Sequence, residues 1–334
     1  MIKQALHKSA WWLESLLDSI KGQRDTRQVI EPYIGYATPE HLVVRGRVLS
    51  SLRRNEPLAE QSKWANFKQM VSLFATDEVA DVEVAAQGVT TRSDDEGYFT
   101  LNLPRDDSVG WISVPVRLPG KNVETACSVL VPEKSARFGV ISDIDDTMLR
   151  TGAYSLWKNL WTSMTGNATT RRLFKDAVGF MDALSDDGRN PVYYVSSSPW
   201  NLHHFIATIF GRAKLVRGPK FLRDLGLGEN QFISGTHGDH KGGSIDTLMA
   251  ANPDLDYVLV GDTGQHDAFV YRDAAKRHPG RVRAVVLREP GPGPDPESRA
   301  AIAELRDMGV PVLQGLNFDA FADQLFAGPL AQAA

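Results

Sequence analysis

The chain has 334 residues, of which 42% are hydrophobic and 23% are charged, a composition typical of a soluble globular protein. This length suggests two domains or one large domain. The formal net charge of -4 argues against a polybasic nucleic-acid binder, so no nucleic-acid partner is predicted. Cys127 is the single cysteine, which excludes an intramolecular disulfide and a zinc site built on cysteine ligands.

A helix is predicted at the start of the chain, in a segment assigned to residues 1–29. Leucine and isoleucine recur at helical spacing within residues 1–22, beside two tryptophans. Docking of this amphipathic helix on the rest of the protein is one interpretation, and contact with a membrane surface is the other. Glu14 and Asp18 interrupt any apolar core, so neither a signal peptide nor a membrane span is expected. The predicted location is cytoplasmic, with peripheral membrane contact left open.

Residues 30–135 have the pattern of a β-rich accessory domain that resembles a small β-sandwich. One helix, at residues 58–74, interrupts the strands. Turn residues at 92–97 predict a hairpin, and a calcium loop is rejected there because the ligand spacing is absent. The strand candidates, rich in β-branched or alternating residues, are 41–49, 82–85, 98–103 and 111–118.

In residues 136–330, short apolar segments alternate with helical stretches, which predicts an α/β domain with a parallel sheet covered on both faces. The last strand candidate contains Pro311 and is expected at a sheet edge, because proline has no backbone N–H to donate to a neighbouring strand. The strand candidates are 138–142, 192–196, 231–234, 257–260, 282–287 and 310–313.

Polar residues follow three of these strands. Asp143, Asp145 and Asp146 come after the first, three hydroxyls beginning at Ser196 end the second, and Asp262 ends a later strand. Ligands in such sheets bind beyond the carboxyl ends of the strands. Close carboxylates repel by about 4 kcal/mol at an effective dielectric of 20, and a hard cation such as Mg2+ would offset this. Hydroxyls at a helix start suit phosphate oxygens.

These elements, in this order, resemble the haloacid dehalogenase (HAD) superfamily, which has an Asp-x-Asp-x-Thr motif, a Ser or Thr, a Lys and an acidic pair. The matching residues are Asp143, Asp145, Thr147, Ser196, Lys241, Asp262 and Asp267. The resemblance implies a Rossmann-like HAD core with a parallel sheet, preceded by the β-sandwich-like domain.

A closer resemblance is to the phosphatidate phosphatase family named for the yeast actin-patch protein. It is carried by residues 142–147, 194–200, 218–226 and 261–267, with 32–36 and 46–49 resembling the companion domain of bacterial members. This implies a Mg2+-dependent phosphatidate phosphatase whose partner is phosphatidate or a related phospholipid. A HAD phosphatase for a soluble phosphomonoester and a non-catalytic lipid- or protein-binding module are the alternatives.

The resemblance also implies roles for single residues. Asp143 would be the covalent nucleophile, and Asp145 would be the general acid and base, with its backbone carbonyl as a metal ligand. Asp143 would also be a metal ligand, and Asp262 would be one through its side chain. Asp267 would be either a ligand or an acceptor behind the ligands. Asp146 receives only a helix-start or supporting role.

Phosphate binding is expected at the hydroxyls and the lysine, which are Thr147, Ser196, Ser197 and Lys241. Substrate choice is expected from the aromatic segment at 153–164, either as a helix packed on the core or as a cap for acyl chains. The basic residues Lys214, Arg217, Lys220 and Arg223 would add attraction to anionic lipid or form a solvated face.

Overall fold

The structure is a computed structural model and describes residues 28–50, 79–149, 173–223, 237–264, 266–289, 291 and 293–331. Four predicted elements, the helices at 1–22, 58–74 and 153–164 and the strand at 231–234, lie outside the described residues. Within the described part, no helix has the length and apolar character needed to cross a bilayer.

The first of two sheets, among the described residues, has seven strands in the order β4-β3-β6-β7-β1-β2-β5. Neighbouring strands are antiparallel except β1 and β7, which are parallel. The strands are β1 (Val29–Ala37), β2 (His41–Leu49), β3 (Glu83–Ala86), β4 (Val89–Arg92), β5 (Tyr98–Pro104), β6 (Gly110–Arg117) and β7 (Glu124–Val131).

Alternation of side chains explains why this β-rich unit has one core. In β5, Phe99, Leu101 and Leu103 are buried while the residues between them are exposed, because successive side chains of a strand point to opposite faces. These residues pack with Val44 of β2 and Val116 of β6 in the same cluster. The described strands form one hydrogen-bonded order, so the sandwich stays a prediction.

The predicted hairpin at residues 92–97 is wrong in its pairing. A turn is present, because Asp94 Oδ1 accepts hydrogen bonds from the backbone N–H groups of Glu96 and Tyr98. The strands on its two sides are not partners, since β4 pairs with β3 and β5 pairs with β2. A turn sequence fixes a local reversal, but the choice of neighbours in a sheet depends on distant residues.

The second sheet has six strands among the described residues, all parallel, in the order β10-β9-β8-β11-β12-β13. Its strands are β8 (Gly139–Asp143), β9 (Val192–Pro199), β10 (Lys220–Arg223), β11 (Tyr257–Asp262), β12 (Val282–Arg288) and β13 (Val312–Gly315). The predicted parallel α/β sheet is therefore confirmed, and β13, which follows Pro311, does lie at an edge.

Helices cover both faces of this sheet. In chain order they are α1 (Lys175–Ser185), α2 (His203–Ala213), α3 (His237–Ala251), α4 (Asp267–Arg277), α5 (Pro296–Asp307) and α6 (Phe321–Ala327). Buried residues of α1, α2 and α6 share one core with Val140, whereas those of α3, α4 and α5 share the other with Ile141. The near-continuous apolar strands follow from this burial on both sides.

The strand order reverses at β8. The chain runs from β8 through β9 to β10 on one side and then returns to β11 on the other side. Loops diverge at such a switch point and leave a crevice at the carboxyl ends of the strands, where ligands bind. Asp143 ends β8 and Asp262 ends β11, so these two carboxylates flank the crevice.

The β-rich unit is joined to the segment that directly follows β9. Trp200 stacks on Tyr33 of β1, with ring centroids 4.7 Å apart and an interplanar angle of 16°. The side-chain oxygen of Asn201 accepts hydrogen bonds from Arg47 of β2 at 3.2 Å and from Tyr98 of β5 at 3.4 Å. We call these contacts the Trp200–Asn201 clasp.

Candidate active site

Three buried carboxylates meet at the switch point. One oxygen each from Asp143, Asp262 and Asp267 lies within 4.8 Å of the others. Among the described residues, neither oxygen of Asp143 and only one oxygen of Asp262 has a hydrogen-bond donor. Buried polar atoms are normally paired, so acceptors left without donors mark a place where a cation or substrate binds.

Lys241, on α3, is the cation of this site. Its ammonium lies 2.7 Å from Oδ1 of Asp143 and 2.6 Å from Oδ1 of Asp267. The contact with Asp267 has hydrogen-bond geometry, whereas the contact with Asp143 is an ion pair only. The lysine is almost fully buried, so it is not the solvated surface charge that lysines at such positions often are.

Asp267 differs from the other two carboxylates because both of its oxygens accept hydrogen bonds from the protein. Oδ1 accepts from Lys241, and Oδ2 accepts from the backbone N–H of Asp262 at 3.1 Å. Gly261 makes this approach possible, because a Cβ there would lie 2.5 Å from Asp267 Oδ2 and 2.7 Å from the hydroxyl of Tyr271. The glycine of the strand end is thus required by the side chains that pack over it.

The electrostatics of the cluster favour a bound cation. Burial raises the pKa of the Asp143 carboxyl well above its ordinary value, although Lys241 opposes the effect. Burial and the adjacent Asp267 raise the pKa of Asp262 to about 8. Burial would lower the pKa of Lys241, but Asp143 and Asp267 outweigh it and raise the pKa above its ordinary value. With all groups ionised, two negative charges remain in excess, and oxygen donors of this kind fit Mg2+.

Asp145 lies beside this cluster but is held by serines. Its Oδ2 accepts hydrogen bonds from Ser196 Oγ at 2.6 Å and Ser198 Oγ at 2.9 Å. Burial raises the pKa of Asp145, and these two hydrogen bonds act in the opposite direction. Its side chain is outside the three-carboxylate group.

Of the remaining predicted phosphate ligands, Thr147 is fully buried and Ser197 is half-buried. The Thr147 hydroxyl has no hydrogen-bond partner among the described residues, and its carbonyl accepts from Arg288 Nε at 3.0 Å. Thr147 therefore has a buried hydroxyl available, in a loop held by Arg288.

The helix-start role of Asp146 is wrong. Asp146 has a left-handed backbone with φ of 58°, and its N–H donates to the carbonyl of Leu149 at 2.7 Å. It lies in a tight turn, where a short polar side chain tolerates positive φ. The turn reverses the chain directly after the Asp143 and Asp145 pair.

Residues 138–289, which contain every predicted site residue, match the family model described as phosphatidate phosphatase APP1, catalytic domain. This segment belongs to that family. The resemblance expected from the sequence is therefore confirmed for the part of the chain that carries the site.

The relatives of this family segment are distant. Phosphatidate phosphatase APP1 of Saccharomyces cerevisiae is 25% identical over 150 residues, which are 45% of this chain and 25% of the yeast protein. An uncharacterized protein of Schizosaccharomyces pombe is 24% identical over 230 residues, 66% of this chain and 37% of that protein. The chain thus spans about a quarter to a little over a third of these curated relatives.

A novel carbohydrate acetylesterase from Xanthomonas citri is similar to 84% of this chain and 75% of its own chain, with 11% identity and a TM-score of 0.27. A likeness this low supports nothing about the fold or the activity of the phosphatidate phosphatase family segment.

The basic set expected to face a lipid or solvent is split by the structure. Lys214 and Arg217 are exposed, whereas Arg223 is half-buried. Lys220 is only 6% exposed and lies against the rings of Tyr194 and Phe210, so neither interpretation holds for it. Arg217 is engaged as well, because it donates to Ser128 Oγ at 2.6 Å.

Two residues of the family segment act in the site although no role was predicted for them. Ser198 stands in the predicted run of hydroxyls, but its contact with Asp145 requires knowledge of the fold. Arg288 follows the apolar strand 282–287, and a charge directly after such a strand was a usable signal. Its side chain is 1% exposed and lies between the rings of Phe174 and Phe318, at 3.9 and 4.0 Å.

Proposed function

We propose that this chain is a Mg2+-dependent phosphatidate phosphatase that uses Asp143 as a covalent nucleophile. One observation carries the chemistry: the Asp143 carboxylate ends a buried strand at the switch point, with Oδ1 2.7 Å from the Lys241 ammonium and Oδ2 without a hydrogen-bond donor from the described residues. A nucleophile needs such an uncommitted oxygen. The lipid substrate has separate support, which is the family match of residues 138–289.

In the first half of the reaction, an oxygen of Asp143 forms a bond to phosphorus while the bond to the leaving oxygen breaks. Asp145 gives its proton to that oxygen, which leaves as an alcohol. In the second half, Asp145 takes a proton from a water molecule, the water oxygen bonds to phosphorus, and the aspartyl bond breaks. Inorganic phosphate leaves and Asp143 is restored.

Lys241 would contact the phosphoryl oxygens together with the hydroxyls of Ser196, Ser197 and Thr147. Its second carboxylate partner, Asp267, keeps the ammonium beside Asp143 through the 2.6 Å hydrogen bond. When bound, Mg2+ would neutralise negative charge and orient the phosphate. Asp143 and Asp262 would hold it, with the Asp145 carbonyl, while Asp267 serves as the acceptor behind them because both of its oxygens are in use.

The fold proposal is the finer one that the motifs imply, a HAD-like Rossmann-like core in residues 136–330 after a β-rich accessory domain in residues 30–135. The residues of the two sheets, which run from 29 to 131 and from 139 to 315, support this division. An N-terminal segment of residues 1–29 completes it.

The test is phosphate release from phosphatidate in detergent micelles, compared with a panel of soluble phosphomonoesters. Wild type is expected to release phosphate with Mg2+ and to stop in excess EDTA, and Asp143→Asn is expected to be inactive under both conditions. Asp273→Asn is the control, because Asp273 is a half-exposed carboxylate on α4 that forms an ion pair with Arg272. Equal activity of wild type and Asp143→Asn would refute the mechanism.

The substrate preference separates the lipid proposal from the second candidate. Preference for phosphatidate supports the lipid phosphatase. Preference for a soluble ester keeps the chemistry and rejects the lipid. If phosphate release is absent throughout, the non-catalytic binding module replaces the proposal.

A further inference from the structure

The Ser196 hydroxyl is predicted to bind phosphate and is observed to bond Asp145, but it has only one proton for both partners. A serine hydroxyl donates one hydrogen bond. In the structure that bond goes to Asp145 Oδ2 at 2.6 Å, while the Ser196 oxygen accepts from the backbone N–H of Ser198 at 2.9 Å. When the hydroxyl turns to a phosphoryl oxygen, its bond to Asp145 is lost.

Ser198 supplies a second donor to the same carboxylate oxygen. Its hydroxyl lies 2.9 Å from Asp145 Oδ2, and its side chain is 6% exposed. Because the backbone N–H of Ser198 holds the Ser196 oxygen as well, Ser198 contacts both partners of the exchange.

We propose that Ser198 is a positioning residue, which keeps the Asp145 carboxylate aimed at the leaving oxygen while the Ser196 hydroxyl binds phosphate. This inference rests on the proposed function. Two hydroxyl donors on Oδ2 direct the transferable proton of Asp145 to Oδ1, and Ser198 keeps one of these two donors in place once a phosphoryl group is bound.

The backbone next to Ser198 is held by contacts with both sheets. Pro199 follows Ser198 and is paired with Arg223 of β10, and the Trp200–Asn201 clasp begins at the next residue. The backbone that carries the Ser198 hydroxyl is therefore held on one side by the pairing with β10 and on the other by the clasp to the β-rich unit. Such fixed backbone is what a positioning residue requires, because small displacements of catalytic groups lower rates strongly.

The test is a leaving-group comparison. Loss of a positioned acid slows an alkyl phosphomonoester, whose leaving oxygen needs a proton, more than an aryl ester, whose phenolate leaves without one. Ser198→Ala is expected to lower kcat about tenfold or more on the alkyl ester and less than about threefold on the aryl ester, with KM unchanged. The larger loss is part of the whole rate acceleration by a general acid, which is roughly 10² to 10⁴. Ser196→Ala is expected to raise KM as well, and Ser198→Thr, which keeps the hydroxyl, is expected to restore kcat.

The control is Ser93→Ala, a buried serine of the β-rich unit whose hydroxyl donates to the carbonyl of Val79 at 2.8 Å. Equal losses on both esters, or equal kinetics of the alanine and threonine variants, would overturn the inference. Wild-type kinetics in Asp143→Asn would instead reject the proposed function.

A second measurement needs no turnover. A double-mutant cycle of Ser198→Ala and Asp145→Ala, each of which removes one partner of the hydrogen bond, reports whether the two side chains interact when it is read as denaturant midpoints at constant slope. Non-additive midpoints are expected from the 2.9 Å contact. Additive midpoints would show that Ser198 does not hold Asp145 and would overturn the inference whether or not phosphate is released.

Discussion

Lys241 of α3 and Lys220 of β10 are both buried, and the same substitution is expected to change stability in opposite directions at the two positions. Lys241 lies 2.7 Å from Asp143 and 2.6 Å from Asp267. Lys220 is 6% exposed, and its ammonium has no carboxylate within ion-pair distance among the described residues. Methionine preserves most of the apolar stem of either side chain, so Lys241→Met and Lys220→Met both test mainly the charge.

The two substitutions are expected to change the free energy of unfolding in opposite directions. Removing one member of a buried ion pair costs about 3–5 kcal/mol, because the partner charges are left uncompensated, so Lys241→Met is expected to lower the free energy of unfolding by that amount. Burial lowers the pKa of Lys220 from 10.5 to about 8. This difference corresponds to a destabilisation of the folded state by about 3 kcal/mol, at roughly 1.4 kcal/mol for each pKa unit. Loss of the cation–π contacts offsets about 1 kcal/mol, so Lys220→Met is expected to stabilise the protein by about 2 kcal/mol.

The pH dependence separates these effects further. The folded pKa of Lys220 lies below its unfolded value, so between about pH 8 and 10.5 the unfolded state binds the additional proton. The destabilisation by the buried Lys220 charge is therefore complete below pH 8 and disappears as the pH rises towards 10.5. The stabilisation by Lys220→Met is expected to decline over the same interval.

Urea unfolding of wild type and variants at pH 7, 8, 9 and 10 measures both effects. Lys276→Met is the matched control, since Lys276 is half-exposed and lies 2.6 Å from Glu304, and such surface pairs contribute about 0–1 kcal/mol. If Lys220→Met destabilises the protein as strongly as Lys241→Met, the reasoning from partners and burial is refuted. The reasoning would also be refuted if Lys241→Met lowered the free energy of unfolding no more than Lys276→Met does.

Two further measurements follow from the same site. In EDTA, the stability of wild type is expected to fall as the pH rises from about 4 to 8, because the folded state keeps a proton on Asp262, whose pKa is about 8, after the unfolded state has lost it. Added Mg2+ is expected to raise Tm more at pH 8 than at pH 5, and a Tm that ignores Mg2+ at both values contradicts the metal proposal. Arg288→Lys is expected to cost about 2–4 kcal/mol in urea, because lysine cannot replace the guanidinium that bonds Thr147, Leu316 and Asp176 together. Arg283→Lys, on the same strand but half-exposed, is expected to cost under about 1 kcal/mol, and equal costs would show that the Arg288 contacts carry no special weight.

The parallel sheet was predictable because its signals are local. Residues 257–260 are apolar without alternation, which only burial on both faces explains, and β11 begins at Tyr257 and extends to Asp262. A carboxylate directly after such a strand must lie at the carboxyl edge of the sheet. That step brought Asp143 and Asp262 together from the sequence, and the structure places them within 4.8 Å, with Asp267.

What stayed hidden depends on contacts between distant residues. The strand β10 contains Lys220 and follows Gly218 and Pro219, so its sequence has the pattern of a charged loop. It forms a strand because β9 offers an unpaired edge, where Lys220 pairs with Tyr194. The role of Ser198 is hidden for a similar reason, since its partner Asp145 is 53 residues away in the chain.

The Trp200–Asn201 clasp connects the β-rich unit to the candidate site. Asn201 receives donors from Arg47 and Tyr98, which belong to two strands of the first sheet, while the residue three positions earlier, Ser198, donates to Asp145 of the second. Any shift of the first sheet against the second therefore acts on the serine run through a chain of three residues, too short to absorb it by bending. The β-rich unit is thus part of the structure that holds the segment next to Asp145, although none of its described residues belongs to the carboxylate cluster.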